Sequence, residues 1–523
     1  MSDIHGLKGL NKLSPSFNQI IVAYGNGFVN LGNAAGFGIP INITNDVSFE
    51  VFGDNLFFQN YIDRPLSFDG SRWVNTLTPR TMLAKYQKAY NSRLFLGNCS
   101  FATPQPPLDL DSNTISFPSR VFYSDFKQGN TLTWSIEWGR NGSTFANTRI
   151  FQLTTTGGTL VQDFKATNIK VGDPLFITSG NAQLVSEKPY LVSEIDSAYR
   201  LIVDREFPVT ANSLHFWVGS NWFDIETAEN DEISGFGENA GRLMIFKTLS
   251  VFLASSSNAS AISQLIQLKG AKGASSSRSI INDYLGNTYW FHGSISQISG
   301  IYKFDRVNVA KISRKIDPWI AGMTVTNYST VVAWQDANEL RWYLGDLDNS
   351  NFDIDMDRAV ASLNLDVQGW TVDPIADPVT DSTTFRIGNE QRNFIADNAN
   401  EVMRMGIGNN FNGSNIASTL ETKVYYPKGS EVINTFESIQ VIGRQTRGVR
   451  VKYKLWDNPT EVDQRWFDLG ELSGDKTELI VPHSHNQASG IQFKFDEVGT
   501  FENDFYIEKI SGFYKVSRSR LLT

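Results

Sequence analysis

The chain has 523 residues, 41% of them hydrophobic and 19% charged, which is typical of a globular protein long enough for two or three domains. Its formal net charge of −9 argues against a general nucleic-acid binder, although an acidic wall can line a passage for DNA because it repels phosphates. The single cysteine, Cys99, excludes an intramolecular disulfide framework. We find neither a signal-peptide pattern nor an apolar run of about 18 residues, so we expect no membrane span.

The first clear element in chain order is a small antiparallel sheet between residues 47 and 73. VSFEVFG and LFFQN alternate as two short strands around a tight turn at Asp54-Asn55, and a second turn at Asp69-Gly70 closes on Trp73. Each such unit is too small to bury its own apolar face, so we expect the units to pack radially, as in a β-propeller. The same pattern returns in three later segments: 85–125, 233–254 and 280–305.

The segment 154–222 has a different pattern, typical of a compact barrel of short strands. Val171-Gly172-Asp173-Pro174 forms its opening turn, and Leu201-Ile202-Val203-Asp204 forms a strand. The blade pattern resumes at Ile233, which indicates that the barrel is an insertion. From Glu431 onward, about seven alternating strands predict a C-terminal β-sandwich.

The predicted fold is therefore all-β: a β-propeller body with an inserted small β-barrel and a C-terminal β-sandwich. Helical periodicity is confined to residues 254–268, which predict a short helix, and to residues 313–323, where Pro318 limits the helix to a turn or two. The predicted domains are residues 1–150 as the first part of the propeller, 151–228 as the barrel, 229–430 as the rest of the propeller and 431–523 as the sandwich.

These segments, in this order, resemble the β-propeller hub or nozzle proteins of short-tailed bacteriophages. LFFQNYIDRPLSFDGSRW resembles the family's first complete blade, and AKYQKAYNSRLFLGN followed by FPSRVFYSD resembles the next, in which a structural arginine recurs. DEISGFGENAGRLMIFKTLSVFLA resembles the glycine turn and strand that follow, and GASSSRSIINDYLGNTYWFHG, GIYKFDRVNVAKISRKID, LRWYLGD, NLDVQGWTV and FIADNANEVMRM resemble the later blades. The inserted barrel departs from the family's pattern.

The resemblance implies a non-enzymatic virion protein, assembled in the host cytoplasm, that forms a ring in the tail and lines the conduit for genome ejection. We expect a homo-oligomer closed by heterologous contacts, with six copies as the first choice and twelve as the second. The expected partners are other tail, adaptor or portal proteins, and DNA passes without specific binding. The barrel is the expected docking module. The basic end KVSRSRLLT (Lys515, Arg518 and Arg520) could dock on an acidic neighbour or be solvated.

The sequence gives no catalytic, cofactor-binding or metal-binding site that we would assign. His483 and His485 are spaced to share one side of a strand, but a metal would also need Asp475 or Asn486, and a solvated turn is the simpler interpretation. Residues 346–357 resemble the start of a calcium loop, yet Asn351 replaces the required glycine and the final glutamate is missing. GASSSRS lacks the strand-to-helix elbow of a catalytic serine.

Two other functional classes remain open. Exposed aromatic residues could form a carbohydrate platform, which would make the protein a receptor- or glycan-binding distal tail protein. A propeller glycosidase is a weaker third hypothesis, because it requires two carboxylates that face one cleft and the chain lacks the repeats typical of sialidases. The glycines of residues 25–38 and 235–241 are interpreted as turns, since they precede strands and not helices.

Overall fold

The computed structural model describes residues 4–13, 16–24, 27–31, 47–62, 66–69, 73–74, 82–101, 115–125, 136–153, 164–165, 169–181, 183–184, 190–219, 221–225, 227, 231–256, 262–295, 298–336, 338–347, 357–375, 377–387, 390–397, 401–404, 410–411, 414–415, 419–429, 432–444, 449–458, 461–462, 465–497 and 506–519. The chain divides into two compact units. The first contains Met1–Val372 and Asp377–Met405, and the second contains Asp373–Ala376 and Gly406–Thr523. Nearly all regular structure in both is strand, which confirms the predicted all-β class.

The first unit begins with two antiparallel sheets. Sheet 1 contains β1 (Ile4–Leu13), β2 (Ser16–Tyr24) and β3 (Gly27–Leu31), and sheet 2 contains β4 (Ser48–Phe52), β5 (Asn55–Gln59), β6 (Leu66–Phe68) and β7 (Trp73–Val74). Sheet 2 is the unit predicted between residues 47 and 73. Its first turn is Gly53-Asp54, one residue before the predicted one, because Asn55 already pairs with Phe52 and Gly53 takes the positive φ.

A closed barrel interrupts the third sheet. Sheet 3 begins with β8 (Met82–Tyr90), β9 (Arg93–Phe101) and β10 (Ile115–Tyr123). The six barrel strands follow: β11 (Ile136–Thr144), β12 (Ile150–Leu153), β13 (Pro174–Ser179), β14 (Tyr190–Ser197), β15 (Arg200–Val203) and β16 (Ala211–Gly219). Then β17 (Trp222–Asp224) returns to pair with β10 in sheet 3.

The barrel strands thus lie in the chain between two paired strands of one sheet. β11 precedes the predicted start of the barrel at residue 151, because its short alternating sequence is similar to that of a blade strand. β17 lies inside the predicted barrel range of 151–228, but it belongs to sheet 3.

Four further sheets complete the first unit. Sheet 4 contains β18 (Ile233–Asn239), β19 (Arg242–Lys247), β20 (Val251–Ser255) and β21 (Gln264–Gln267), and sheet 5 contains β22 (Ile281–Asn282), β23 (Thr288–His292), β24 (Gly300–Phe304) and β25 (Val309–Lys311). Sheet 6 contains β26 (Val332–Asp336), β27 (Glu339–Asp346), β28 (Arg358–Asn364) and β29 (Gly369–Pro374), and sheet 7 contains β30 (Val379–Ile387), β31 (Glu390–Asp397) and β32 (Val402–Arg404).

The described parts of these seven sheets follow one another in a cyclic order. The first strand of each sheet contacts the first strand of the next, and β30 of sheet 7 contacts β1 of sheet 1. The apolar clusters lie mostly between successive sheets, such as Phe28 with Phe58 between sheets 1 and 2, and Phe246 with Trp290 between sheets 4 and 5. Each sheet therefore buries its faces against its neighbours, an arrangement typical of β-propellers.

Both helix predictions needed correction. Residues 264–267 of the predicted helix form β21, an exposed edge strand that pairs with β20, so backbone pairing outweighs the helical spacing; residues 257–261 lie outside the described ranges. Near Pro318 the chain forms a 3-10 turn (Ser313–Ile316) and the helix α1 (Asp317–Ala321). Pro318 does not end this helix, because it stands in the first turn, where its missing N–H has no partner to lose.

The second unit contains β33 (Asn410–Phe411), β34 (Ser414–Asn415), β35 (Thr419–Glu421), β36 (Val432–Arg444), β37 (Val449–Asn458), β38 (Glu461–Val462), β39 (Phe467–Glu471), β40 (Lys476–Ile480), β41 (Gln487–Ala488), β42 (Gly490–Glu497) and β43 (Tyr506–Ser519). One sheet is built on β37 and β42, and another on β36 and β43. Ile439 and Val441 of β36 share one core with Val451 and Phe493 of the other sheet. This unit begins before the predicted boundary at residue 431, since β35 already pairs with β42.

Candidate functional site: the axial cavity

A cavity of about 300 Å³ lies in the first unit where the first strands of its sheets meet, and we call it the axial cavity. Its lining comes from β1, β4, β8, β18, β26 and β30, and from the segment that leads into β22. The charged side chains of this lining are Lys8, Glu50, Lys85, Lys88, Arg278 and Asp381. The charge is therefore concentrated on the innermost strands of the sheets.

Asp381 ties the last sheet of the cycle to the first. One of its oxygens, Oδ2, accepts a hydrogen bond from the Leu7 N–H at 2.6 Å, and Oδ1 accepts one from the Ser382 N–H at 2.8 Å. Burial raises the pKa of Asp381, while Arg278, these two N–H groups and Lys8 act in the opposite direction. The carboxylate therefore links β30 of sheet 7 to β1 of sheet 1.

Glu50 makes the corresponding tie between sheets 2 and 3. Its Oε1 accepts from the Lys88 ammonium at 3.1 Å and from the Ala89 N–H at 3.0 Å. The buried Gln87 side chain donates back to the carbonyls of Ser48 and Phe57, at 2.6 and 3.0 Å. Both acids of the cavity wall are thus engaged by neighbouring sheets.

Amide and hydroxyl side chains make similar ties at other junctions. Asn98 of sheet 3 donates to the Ile233 carbonyl of sheet 4 at 3.1 Å, and Asn239 of sheet 4 donates to the Gly286 carbonyl next to sheet 5 at 3.0 Å. Ser382 of sheet 7 donates to the Ala333 carbonyl of sheet 6 at 2.9 Å. Polar side chains therefore reinforce the apolar contacts between sheets, which favours a rigid body.

The barrel is attached to sheet 3 through Arg120. The guanidinium donates to both carboxylate oxygens of Asp224 at 2.6 Å. It also lies over aromatic rings, 3.9 Å from the ring centre of Trp222 and 5.2 Å from that of Trp217 on β16. A bidentate ion pair and cation–π contacts restrain the relative orientation of the groups that they join, so this junction resists bending.

A buried ion pair holds the chain where it passes from sheet 3 to sheet 4. The Lys247 ammonium lies 2.8 Å from Asp231 Oδ1, and both side chains are almost fully buried. Lys247 also donates to the Ile225 carbonyl at 2.7 Å, and the Ser250 hydroxyl donates to Asp231 at 2.9 Å. Although burial opposes ionisation, the hydrogen bonds from Lys247, Thr227 and Ser250 lower the pKa of Asp231 below its usual value.

The structure does not bring the histidines of the second unit into a metal site. His483 and His485 lie in a 3-10 turn between β40 and β42, as the turn interpretation predicted, and not on one side of a strand. The His485 ring packs on Phe467 with 4.6 Å between centres. Among the described residues no group of three or more His, Cys, Asp or Glu side chains could hold a metal ion.

The other candidate segments have structural roles where they are described. Asp346 accepts from Arg358 Nε at 2.7 Å, and residues 348–356 of the calcium-like loop lie outside the described ranges. Gly235 and Gly237 lie inside β18, where a Cβ on Gly235 would come within 2.8 Å of Ile280, so they permit close sheet packing. The turn is Ala240-Gly241. Most of residues 25–38 lie outside the described ranges.

Two further sequence predictions concern single basic residues. Arg93 is buried and donates to the Ser124 carbonyl at 2.9 Å, which joins β9 to the residue that follows β10. Lys515 of the basic C-terminal segment forms an ion pair with Glu437 on the neighbouring strand β36. Arg520 lies outside the described ranges.

Sequence reasoning missed the axial cavity because its charged residues are far apart in the chain. Lys8 and Asp381 are separated by nearly the whole first unit, and they meet only because sheet 7 closes on sheet 1. One available signal was a charged residue inside the first strand of a blade-like unit, as in GLKGL around Lys8. In the described part of the chain, no helix is long and apolar enough to span a bilayer.

Comparisons with known proteins give little beyond this geometry. No protein-family model and no curated protein matches the chain. Among solved structures it is similar to YCF48 from Cyanidioschyzon merolae (TM-score 0.26, 10% identity, 77% of this chain and 95% of that one) and BamB from Moraxella catarrhalis (0.30, 10%, 77% and 99%). It is also similar to an exo-beta-1,3-galactanase from Phanerochaete chrysosporium, with a TM-score of 0.23 and 8% identity over 95% of this chain and 100% of that one. TM-scores this low carry no argument about function.

Proposed function

We propose that this protein is a non-enzymatic structural component of a bacteriophage tail. Copies form a cyclic hub or nozzle ring, six by first choice and twelve by second, that connects tail parts and lines the conduit for genome ejection. The observation that carries the proposal is the set of hydrogen bonds accepted by the two carboxylates that line the axial cavity. Glu50 and Asp381 accept hydrogen bonds from backbone N–H groups of neighbouring sheets, which suits a rigid scaffold better than a hydrolase.

The seven sheets form the blades of a propeller in this proposal, and the barrel is a docking module inserted into the third blade. Its support is topological: the barrel strands lie between the paired strands β10 and β17, so the barrel can project without opening the cycle of sheets. The second unit is a β-sandwich. The conduit lies between copies, and the net charge of −9 limits the adhesion of DNA to its wall.

The mass and symmetry of the purified full-length protein test this proposal. We expect native mass spectrometry to give a single oligomer of six or twelve copies and electron microscopy to show rings with a central opening. A monomer at micromolar concentration, with no ring in the presence of the other tail proteins, would contradict the proposal.

A second candidate is a glycan-binding distal tail protein, and one feature of the second unit favours it. Trp456 and Trp466 are half-buried, and the Lys454 ammonium lies 5.4 and 5.6 Å from their ring centres. Flat aromatic rings beside polar side chains, such as Gln492 at 3.3 Å from Trp456 Nε1, suit the apolar face of a sugar.

A glycan array separates the two candidates. The second predicts binding to bacterial surface polysaccharide that Trp456→Ala abolishes and that the matched variant Trp370→Ala, in the first unit, leaves unchanged. Rings with no glycan affinity favour the first candidate, and hydrolysis of the polysaccharide would instead indicate an enzyme.

A further inference from the structure

The axial cavity has a charge opposite to that of the protein. Its described lining carries four cations, Lys8, Lys85, Lys88 and Arg278, and two carboxylates, Glu50 and Asp381, a formal sum of four minus two, or +2. The whole chain carries −9. A basic cavity at the centre of an acidic protein attracts small anions and focuses them there.

Lys88 and Glu50 cancel each other in this sum, so the excess positive charge comes from the other three cations against Asp381. Glu50 is held by Lys88 and the Ala89 N–H, and Asp381 by the N–H groups of Leu7 and Ser382. Lys85 is 3.6 Å from Glu232 in an ion pair whose side chains are 38% and 48% exposed. So exposed a pair is weak and lets the ammonium turn toward a ligand.

The Asp381 carboxyl is a partly buried charge of the cavity lining. Its pKa is raised by burial even though two cations and two backbone N–H groups favour its ionised form. Coulomb attraction is stronger where water is scarce, so the cations that act on this carboxyl, Arg278 and Lys8, should attract an anion more strongly than cations on the open surface. The hydroxyls of Ser48 and Ser277 add possible donors to the lining.

We infer that the axial cavity binds a small anion with two or more negative charges, of the phosphate or polycarboxylate class. Its volume of about 300 Å³ is at the lower end of the range for ligand pockets. This volume suits a small ligand and not a DNA duplex, so the cavity is distinct from the proposed conduit. The bound anion would bridge the innermost strands and stabilise the cycle of sheets.

Isothermal titration calorimetry on the full-length protein at low ionic strength tests this inference. Inorganic phosphate and citrate are titrated separately, which distinguishes the two sources of the anion. We expect saturable binding of at least one, weakened by added salt, and weakened about tenfold or more in the Lys8→Gln/Lys85→Gln double variant because two unit charges are removed. Lys315→Gln, an exposed site outside the cavity, is the matched control and should bind as the wild type does.

A thermal melt keeps the inference testable if the double variant folds poorly. A ligand that binds only the folded state raises its melting temperature, so phosphate or citrate should stabilise the wild type and the Lys8→Arg/Lys85→Arg variant, which keeps both charges. No binding of either anion to the wild type overturns the inference. Equal affinity in the folded Lys8→Gln/Lys85→Gln protein also overturns it. Neither result bears on whether the protein forms a tail ring.

Discussion

The barrel and the cycle of seven sheets are both closed, but different kinds of interaction close them. Barrel closure is made by backbone hydrogen bonds between strands, and the buried core of the barrel comes entirely from residues 151–218. The described parts of the seven sheets close through side chains, with apolar clusters and polar ties such as Asp381 to Leu7 between neighbours. A barrel of this kind carries its own core, whereas each sheet depends on the next. Changes at one junction should therefore affect two sheets and spare the barrel.

The largest effect is expected at the buried ion pair beside sheet 4. Asp231→Asn leaves the Lys247 charge buried without its counterion, so we expect a loss of about 3–5 kcal/mol. Urea unfolding gives the free energy. Hydrogen exchange by mass spectrometry should show lost protection in peptides of sheets 3 and 4 and unchanged protection in the barrel.

An apolar replacement of the whole pair is the control for that prediction. Asp231→Leu/Lys247→Met removes both charges and should recover much of the lost stability, because no buried charge is left uncompensated. If Asp231→Asn destabilised the barrel as much as sheet 4, the contrast between the two regions would be wrong.

Acid should also weaken the sheets through His292. Burial lowers the pKa of this side chain from 6.5 to about 4, with Lys272 acting in the same direction. The folded state therefore binds fewer protons than the unfolded chain over this interval, and stability falls as the pH falls from 6.5 toward 4. The full loss is about 3.5 kcal/mol, because the two pKa values differ by about 2.5 and each pKa unit corresponds to about 1.4 kcal/mol.

Urea midpoints at neutral pH and near pH 4 measure this loss. His292→Gln cannot titrate, so its midpoint should fall less than that of the wild type over the same interval. An identical fall in both proteins would assign the acid sensitivity to other groups.

A smaller loss is expected where sheets 3 and 4 pack most closely. A Cβ at Gly97 would lie 2.7 Å from the Phe236 ring and 2.9 Å from Ile233, so Gly97→Ala forces the sheets apart and should cost about 1–3 kcal/mol. Thermal melts measure the loss. Gly512→Ala in β43 is the matched control, since its Cβ meets open space. Equal melting temperatures of Gly97→Ala and wild type would show that this junction is loosely packed.

The smallest effect is expected at the link between the two regions. Arg120→Gln removes the bidentate pair with Asp224 and the contact with Trp222, for a loss of about 1–2 kcal/mol. Limited proteolysis should cut several times faster at the barrel junction while the barrel stays intact. Arg205→Gln, which loses a contact with Tyr190 inside the barrel, should leave the cutting rate at the junction unchanged.

The sequence predicts local structure well where turns and alternation agree, as in sheet 2 or the turn before β13 at Pro174. The sequence fails to predict the structure where contacts with other strands determine the conformation of a segment. Residues 264–267 carry a helical pattern but become an edge strand because β20 is there to pair with them. Gly235 suggests a turn, although its purpose is close packing against Ile280.

The candidate site could not be predicted from short stretches of sequence, because it also depends on contacts between distant parts of the chain. Lys8, Glu50, Lys85, Arg278 and Asp381 stand in or beside five different sheets of the first unit, and the short sequence around each one does not show that they meet. Only the cyclic order of the sheets brings them together. Arg120, in contrast, stands among aromatic residues in the sequence FPSRVFYSD, so the neighbouring residues already indicated its role in packing.

The pairing of Ile136 with Gly219 brings the two ends of the barrel side by side. A segment whose ends meet can be exchanged as a cassette, because its replacement has to span only the short gap between them. Chains with this body could therefore carry a different domain in this position, or none, while β10 and β17 remain joined. Grafting a foreign domain with adjoining termini at these positions would turn the body into a carrier.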